Sequence, residues 1–312
     1  MQQDVSTRRR RLYQTALAAP VFSSGDGGKW ALLPRGMEAP IPVRIGSDKY
    51  REWLCQRAEE KAGITPSVRQ IGEAVRARQR DASYESGEAA MRIHRLRDGS
   101  IFLHLGGEES DCLRVWTEGW DISPPPCHIH FRYPEKHLPL PQPIHTDSSL
   151  TALLASAFGP SQGATLSKWL INVLNQKGPA ETLLFTGARR LHAARSLLDL
   201  LDPRDPVSRT PSFEDDWVLF NAEFSQLTPA QLEKLNYYAG IRRRPVILTA
   251  PGRFAGLENF MEIDVPEFEP FDSSEVLGAL ATAVQATVRV RRKASSSLVR
   301  LRSEGTKNVL SV

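Results

Sequence analysis

The chain has 312 residues, of which 41% are hydrophobic and 24% are charged, and these values are ordinary for a soluble globular protein with two domains. No stretch approaches the ~18 to 20 consecutive apolar residues of a membrane-spanning helix, so we expect no membrane partner. The three cysteines, Cys55, Cys112 and Cys127, are odd in number and widely separated, which favours reduced thiols and a cytoplasmic location over a disulfide framework or a zinc site.

The formal net charge of +4 is unevenly distributed along the chain. Residues 1–11 carry a net charge of +3 and residues 289–312 carry +6, which leaves −5 for the residues between them. Basic ends on an acidic body predict contacts with a nucleic acid, with DNA favoured, while solvated tails that only maintain solubility are an equal alternative. The candidate binding residues at the two ends are Arg8, Arg9, Arg10, Arg11, Arg289, Arg291, Arg292, Lys293, Arg300 and Arg302.

Residues 1–40 are predicted to form a basic flexible leader, and residues 41–133 an α+β module that begins with two helices. The first helix is bounded by Ser47 as its N-cap and Gly63 as its stop. The second begins near Pro66, because proline fits the first turn of a helix. The outer face of this second helix either contacts phosphates or is a solvated basic face. Its arginines are Arg69, Arg76, Arg78 and Arg80.

Residues 87–133 contain short runs in which apolar and polar residues alternate, separated by turn residues. This period of two predicts an antiparallel β-meander packed against the two helices. His128 and His130 project to one face beside Cys127, but two ligands at strand spacing do not define a tetrahedral metal site. We therefore expect exposed strand histidines, no bound metal and no other cofactor.

A proline-dense linker is predicted at residues 134–145, and the domain boundary is placed there. Between residues 146 and 288, helical patterns alternate with short apolar runs, which predicts an α/β domain with a mainly parallel sheet in three layers. Residues 289–312 form a basic tail. The predicted strands of this domain lie at residues 182–186, 216–223, 244–250 and 260–265.

Residues 181–202 have the outline of a strand, a turn and a helix, as in a phosphate-binding loop. Such a loop needs glycines that let backbone N–H groups turn inward, a lysine for the terminal phosphates and a Ser/Thr hydroxyl for magnesium. Counted from Gly187, the pattern G-x-x-G-x-G-K-[ST] places Arg190 at a glycine position. It places Ala193 at the lysine and Ala194 at the hydroxyl. The skeleton of the site is therefore present without the groups that bind phosphate.

Three arginines, Arg189, Arg190 and Arg195, crowd the predicted start of this helix. The helix dipole disfavours cations at that end. The arrangement indicates either that these side chains are exposed to solvent or that an anion is bound at the helix start, and exposure is favoured.

The segments GSIFLHLG, FRYPEKHLPLPQP, SKWLINVL, LLFTG, WVLFNAEFSQL and RPVILTAPG follow one another over residues 41–288. In this order they resemble bacterial and phage proteins related to primase-associated, superfamily 3-like helicase ATPases of the AAA+ type. The resemblance implies a P-loop NTPase fold, a phosphate loop after LLFTG and a catalytic aspartate at the end of the next strand. The position aligned with that aspartate is Ala222, and the adjacent Glu223 has no lysine or magnesium ligand to work with.

These features predict a pseudo-ATPase, because positioning and charge neutralisation provide most of the catalysis in phosphoryl transfer. We expect a non-catalytic nucleic-acid-binding or assembly subunit of a phage, plasmid or anti-phage defence system, with a protein partner and with oligomerisation left open. The first alternative is a scaffold that packs against an active partner without binding nucleic acid. The second is an ATP-dependent, helicase-like enzyme with an unorthodox site formed by Arg189, Arg190 and Glu223.

Overall fold

The computed structural model of the chain describes residues 2–24, 27–35, 38–90, 92–106, 111–132, 138–175, 181–203, 220–223, 227–228, 230–233, 235, 245–251 and 260–289. These residues form a mixed α/β structure with several sheets that divides into two compact units. Unit 1 comprises Met1–Met91, Glu108–Ser110 and Pro124–Pro134, and unit 2 comprises Arg92–Gly107, Asp111–Ser123 and Glu135–Val312. None of the described helices has the length and apolar character needed to cross a membrane.

Unit 1 combines helices with two small sheets. Its helices are α1 (Gln2–Ala16), α2 (Asp48–Ala62) and α3 (Val68–Asp81). Its strands are β1 (Val21–Ser23), β2 (Lys29–Arg35), β3 (Glu38–Arg44), β4 (Glu88–Ala90) and β9 (Ile129–Phe131). The first three strands form an antiparallel sheet in the order β1-β2-β3, whereas β4 and β9 pair in parallel.

Side-chain caps set the starts of α2 and α3, and a glycine ends α2. The Ser47 hydroxyl oxygen accepts a hydrogen bond from the Tyr50 amide at the start of α2, and Gly63 ends that helix in the left-handed conformation with φ 59°. These two predicted bounds are confirmed. Helix α3 starts after Ser67, where Ser67 and Gln70 form a reciprocal capping box.

Residues 1–40 are largely ordered, which differs from the flexible leader expected from the sequence. They contain α1, β1 and β2, and β3 begins within them. Prolines make these strands hard to predict from the sequence, because proline has no N–H to donate to a strand ladder and is confined to edge strands and bulges. Pro34 lies at a register shift between β2 and β3, and Pro40 and Pro42 lie in the edge strand β3.

A polar network joins α1 to α3 beside the core of unit 1. Tyr13 donates a hydrogen bond from its hydroxyl to Asp81 at 2.9 Å, and this bond is the largest cause that raises the pKa of Tyr13. Arg78 is 4% exposed and donates both to Asp81, at 2.8 Å, and to the carbonyl oxygen of Ala19. Arg78 was expected with the other arginines on the outer face of α3. It is instead a buried structural residue.

Unit 2 contains an antiparallel meander, a parallel sheet and helices. The meander runs in the order β5 (Ile93–Arg95), β6 (Ile101–His104), β7 (Cys112–Val115) and β8 (Trp120–Ser123). The parallel sheet consists of β10 (Thr182–Thr186), β11 (Phe220–Glu223), β12 (Val246–Thr249) and β13 (Phe260–Asp264). The helices of unit 2 include α4 (Leu150–Phe158), α5 (Pro160–Asn175), α6 (Arg190–Leu201) and α7 (residues 273–289).

The meander belongs to unit 2, which differs from the expectation that it packs against the two N-terminal helices. Its residues Ile101, Leu103 and Leu113 lie in one apolar cluster with Leu170 of α5 and Phe185 of β10. Strand β6 is buried along its whole length and needs covering on both faces, and α5 packs against it. Long-range packing, which the local period of two does not encode, decides this assignment.

The sheet of unit 2 is parallel throughout, in the order β11-β12-β10-β13. This confirms the mainly parallel sheet expected from alternating strands and helices. One face of β10 presents Leu183 and Phe185 to the apolar cluster that also contains buried residues of α4 to α7. The other face presents Leu184, which lies in a smaller cluster with Leu248 and Leu235. Both faces of the central strand are therefore covered.

A proline-rich strap, defined as residues 138–146, is bound tightly to unit 2. The Leu140 amide donates to the carbonyl oxygen of Leu105 at 2.6 Å, and the Ile144 amide donates to Ser274 at 3.1 Å. Thr146 donates from its hydroxyl to Glu275 at 2.7 Å. The sequence places these residues in an interdomain linker. The structure instead shows most of that segment as an ordered part of one unit, held by its backbone amides.

Helix α7 approaches the strap so closely that it requires glycine at position 278. A Cβ atom on Gly278 would overlap the carbonyl oxygen of Ile144. We predict that Gly278→Ala lowers the free energy of unfolding of unit 2 by about 1–3 kcal/mol, because neither backbone segment can move freely.

The matched control is Gly72→Ala in α3, where the nearest atom to an added Cβ is the mobile Arg76 guanidinium at 3.7 Å. This change should raise stability by up to about 1 kcal/mol through helix propensity. Denaturant unfolding of both variants makes the comparison. Equal effects of the two substitutions would contradict the close approach of α7 and the strap.

The three cysteines, all within the described residues, form no disulfide and differ in burial. Burial raises the pKa of Cys112 to about 12, so at pH 8 only roughly one thiol in ten thousand is ionised. Cys127 is exposed, and Cys55 is partly buried with a raised pKa. We predict that a thiol reagent labels Cys127 first and Cys112 only on unfolding, as measured by peptide mass spectrometry. Rapid labelling of Cys112 in the folded protein would contradict the burial of this thiol.

Candidate nucleotide and nucleic-acid sites

The turn between β10 and α6 contains only three residues, Gly187, Ala188 and Arg189. Gly187 has φ +87°, and a Cβ atom there would lie 2.6 Å from the carbonyl oxygen of Val265 and 2.7 Å from Oδ1 of Asp264. The glycine is therefore required by a close approach of the backbone after β13. It leaves no open space for a ligand on that side.

Backbone hydrogen bonds close this turn against the segment after β13. The Val265 amide donates to the carbonyl oxygen of Thr186 at 3.0 Å, and the Arg189 amide donates to the carbonyl oxygen of Val265 at 3.1 Å. A phosphate loop works because successive amides point at the ligand. Here the Arg189 amide is already bonded within the protein, so it does not contribute to an anion-binding cradle.

Ala193 and Ala194 face the core and not the turn. They are 0% and 1% exposed and lie in the main apolar cluster of unit 2 with Leu197 and Leu198. The sequence aligns these alanines with the lysine and the hydroxyl residue of a phosphate loop. Because the helix starts at Arg190, directly after the three-residue turn, both positions are turned into the interior.

The arginines near the start of α6 are held by the protein or by solvent. Arg189 occupies the N-cap position without a side-chain capping bond and is exposed. Arg190 is partly buried and donates from Nη1 to the carbonyl oxygen of Gly187 at 3.3 Å. Arg195 pairs with Asp199 at 2.9 Å, one turn further along the helix. Solvent exposure, the favoured interpretation for these cations, therefore holds for Arg189, whereas Arg190 and Arg195 are partly buried.

Among the side chains that the structure describes, few polar groups meet at the carboxyl ends of the parallel strands. Thr186 is buried and donates a hydrogen bond from its hydroxyl to Glu262 at 3.3 Å. In β11, Ala222 pairs in register with Leu248, and Glu223 pairs with Thr249. Thr249 also pairs with Phe185 of β10 on its other side. The backbone of Glu223 is thus two strand spacings, about 10 Å, from the end of β10.

The basic residues expected to bind nucleic acid fall into three groups within the described part of the chain. The side chains of Arg8, Arg10 and Arg11 are exposed on α1, where the backbone of Arg9 also lies; Arg69 and Arg76 are exposed on α3, and Arg289 is exposed at the end of α7. An ion pair at 3.5 Å joins Arg69 to Glu73. The remaining candidates lie outside the described residues. They are Arg291, Arg292, Lys293, Arg300 and Arg302.

A basic groove lies between α1 and α2 in unit 1. From the sequence, its cation on α1 is predicted as a binding residue, but those on α2 are not. Its volume is about 520 Å³. Cations reach it from both helices, because Arg57 and Lys61 of α2 join Arg11 of α1. The spacing of Arg57 and Lys61, four residues apart on one helix, is the only sequence signal that could have indicated them. The residues lining the groove are Arg11, Gln14, Thr15, Ala18, Arg57, Lys61 and Ala62.

The histidines and cysteines of the described residues do not form a group suited to hold a metal ion. His128 is exposed, as expected, but His104 is buried and His130 is partly buried against Phe22, with ring centroids 5.0 Å apart. Burial is the larger cause that lowers the pKa of His130, and the neighbouring His128 adds to it. His104 and His130 therefore correct the expectation of exposed strand histidines.

No protein-family model and no curated protein matches the chain. Among solved structures, the apo A form of the NrS-1 C-terminal region is similar at 10% identity and a TM-score of 0.39, covering 88% of this chain and 66% of that one. The SCCmec type IV Cch protein, described as an active helicase, is similar at 13% identity and a TM-score of 0.36, covering 87% and 57%. The chain thus spans less than two thirds of their length. At these TM-scores the likeness carries no argument about activity.

Restoring the missing phosphate-loop residues should not restore a nucleotide site. We predict that Ala193→Lys combined with Ala194→Thr lowers the stability of unit 2 by more than about 3 kcal/mol, because a cation and a hydroxyl would be buried in the apolar core. Isothermal titration should detect no binding of Mg·ATP by the variant.

The control for this experiment changes the exposed face of the same helix. Leu191→Lys combined with His192→Thr introduces the same residue types at solvent-exposed positions, and Tm should stay within a few degrees of the wild type. A stable Ala193→Lys/Ala194→Thr variant that binds Mg·ATP would show that the turn can open into a cradle.

Proposed function

We propose that this protein is a non-hydrolysing subunit that binds nucleic acid, or assembles on a partner, within a phage, plasmid or anti-phage defence system. The observation that carries the proposal is the closed three-residue turn after β10. A parallel sheet with a glycine turn leading into a helix is the usual framework of a phosphate site. In this chain the framework is bonded shut by Val265, and the alanines at the lysine and hydroxyl positions face the apolar core.

Phosphoryl transfer needs several components, and the lack of each one supports the absence of hydrolysis. Neither Ala193 nor Ala194 can bind phosphate or magnesium, and the Arg189 amide is used by Val265. Glu223 lies two strand spacings from the turn, with β12 between them. A single carboxylate cannot replace a metal ion, a lysine and a set of inward amides.

Nucleic-acid binding is supported by cations that project into solvent. Arg8, Arg10 and Arg11 lie on α1, Arg76 is exposed on α3, and Arg289 begins the basic tail. Contacts of this kind bind phosphates without regard to sequence and release counterions, so they depend steeply on salt. The proposed biological context, a phage, plasmid or defence system, is supported only by the order of the sequence segments along the chain, which resembles that of primase-associated helicase ATPases.

A second candidate function is a scaffold that packs against an active partner without binding nucleic acid. The exposed Leu191 and Arg189 at the start of α6 favour it, because they are surface positions beside the closed turn. The third candidate, an ATP-dependent helicase-like enzyme that uses Arg189, Arg190 and Glu223, requires magnesium-dependent hydrolysis that Glu223→Gln abolishes. The geometry of the turn opposes it.

The deciding experiment measures nucleic-acid binding and ATP hydrolysis on the same preparation. We predict that fluorescence anisotropy detects binding to DNA that weakens steeply between about 50 and 200 mM salt, with phosphate release no higher than that of the buffer blank. Removing residues 290–312, which carry a net charge of +5, should weaken binding further.

Three outcomes separate the candidate functions. A complete lack of DNA binding at low salt, combined with stable co-purification of a neighbouring gene's product, identifies the scaffold. Hydrolysis that needs magnesium and is lost in Glu223→Gln identifies the enzyme. Salt-insensitive DNA binding contradicts the electrostatic contacts that the proposal invokes.

A further inference from the structure

We infer that the basic groove between α1 and α2 binds the sugar-phosphate backbone of one nucleic-acid strand, without reading its bases. The inference rests on the proposed nucleic-acid binding and assigns it to a particular surface. It adds Arg57 and Lys61 to the binding residues. It also makes α1 one wall of a two-helix site, whereas the sequence suggests only a basic terminus.

The charge of the groove is of one sign. Three of its lining residues, Arg11, Arg57 and Lys61, are cations, and none of the described lining residues is acidic. Arg57 itself pairs with Glu60 at 3.5 Å, which is long for a charge-assisted hydrogen bond. Like charges that converge in this way repel one another until an anion enters, so a bound phosphate chain would stabilise the arrangement.

The hydrogen-bonding capacity of the groove also suits phosphate. Arg11, Arg57 and Lys61 bring guanidinium and ammonium donors to the groove. Gln14 and Thr15 add neutral polar groups on the α1 wall. Arginine presents a planar fork that matches phosphate oxygens, and neutral side chains of this kind commonly contact phosphates and sugars.

The dimensions of the groove favour a single strand over a duplex. The groove's volume of about 520 Å³ is that of a pocket for a small ligand, so the groove admits a short stretch of one backbone, whereas a duplex contacts only its rim. On the α1 wall, Arg11 and Thr15 are separated by about one helical turn, or ~5.4 Å. This spacing is comparable to that of consecutive phosphates along an extended strand.

The described groove residues include no aromatic side chain on which a base could stack. Stacking platforms provide most of the base contacts in single-strand-binding proteins. The groove therefore contacts only the backbone and should bind strands of different sequence equally. It should also show little preference between a deoxyribose and a ribose backbone.

The test uses the full chain and the variant Arg11→Gln/Lys61→Gln, which changes two exposed groove residues on different helices. The probe is a short fluorescein-labelled oligothymidylate, followed by anisotropy. At about 0.1 M salt the variant should bind roughly ten- to thirty-fold more weakly, and the slope of log K against log[salt] should fall by about 1.4, because two phosphate contacts are lost.

The matched control is Arg97→Gln/Lys168→Gln, which removes the same charge from exposed residues of unit 2. It should keep the affinity and the salt slope of the wild type. A strand of mixed sequence should bind as the oligothymidylate does. Circular dichroism checks that both variants keep their Tm, so that a change in binding cannot be assigned to unfolding.

Several outcomes would overturn the inference. If the wild type binds and the groove variant binds equally well, the groove is not the site, and the proposed function stands on other residues. If the variant loses duplex binding as strongly as single-strand binding, the one-strand assignment is wrong. If polyglutamate of matched charge displaces the oligonucleotide equally well, the groove recognises acidic protein. If the wild type binds no nucleic acid, the proposed function fails first.

Discussion

The closure of one backbone turn determines what unit 2 can do. The carbonyl oxygen of Val265 accepts the amide proton of Arg189 and lies where a side chain on Gly187 would have to be. Because the turn is held in three residues, α6 starts at once and directs Ala193 and Ala194 into the core. The loss of phosphate-binding residues and the short turn are therefore one feature. Replacing individual side chains leaves the backbone closure in place.

The structure separates a tightly packed framework from the surface that we assign to binding. In unit 2, the parallel sheet, the meander and the proline-rich strap contribute to one apolar core, and Gly278 shows how closely the backbone segments approach. In unit 1, polar contacts through Arg78 and Asp81 join α1 to α3. That packing fixes α1, so that its arginines form one wall of a groove. Binding in this view needs no nucleotide-driven movement.

The sequence predicts local structure well where a single physical signal dominates. Ser47 and Gly63 bound α2, and the apolar run at Thr182–Thr186 is strand β10. Strands β2 and β3 were missed because their prolines resemble breaks, although edge strands and register shifts tolerate proline. The groove was missed for a different reason. Lys61 and Arg11 line the same groove only because two helices pack against each other, and no local period in the sequence encodes that packing.

Amide hydrogen exchange across residues 187–193, with and without saturating Mg·ATP, tests the closed turn most directly. The bond from the Arg189 amide to Val265 predicts that this amide is protected in the free protein and that nucleotide leaves its exchange rate unchanged. Rapid exchange in the free protein, followed by strong protection when Mg·ATP is added, would show an open loop that closes on phosphate and would contradict the assignment of a non-hydrolysing subunit.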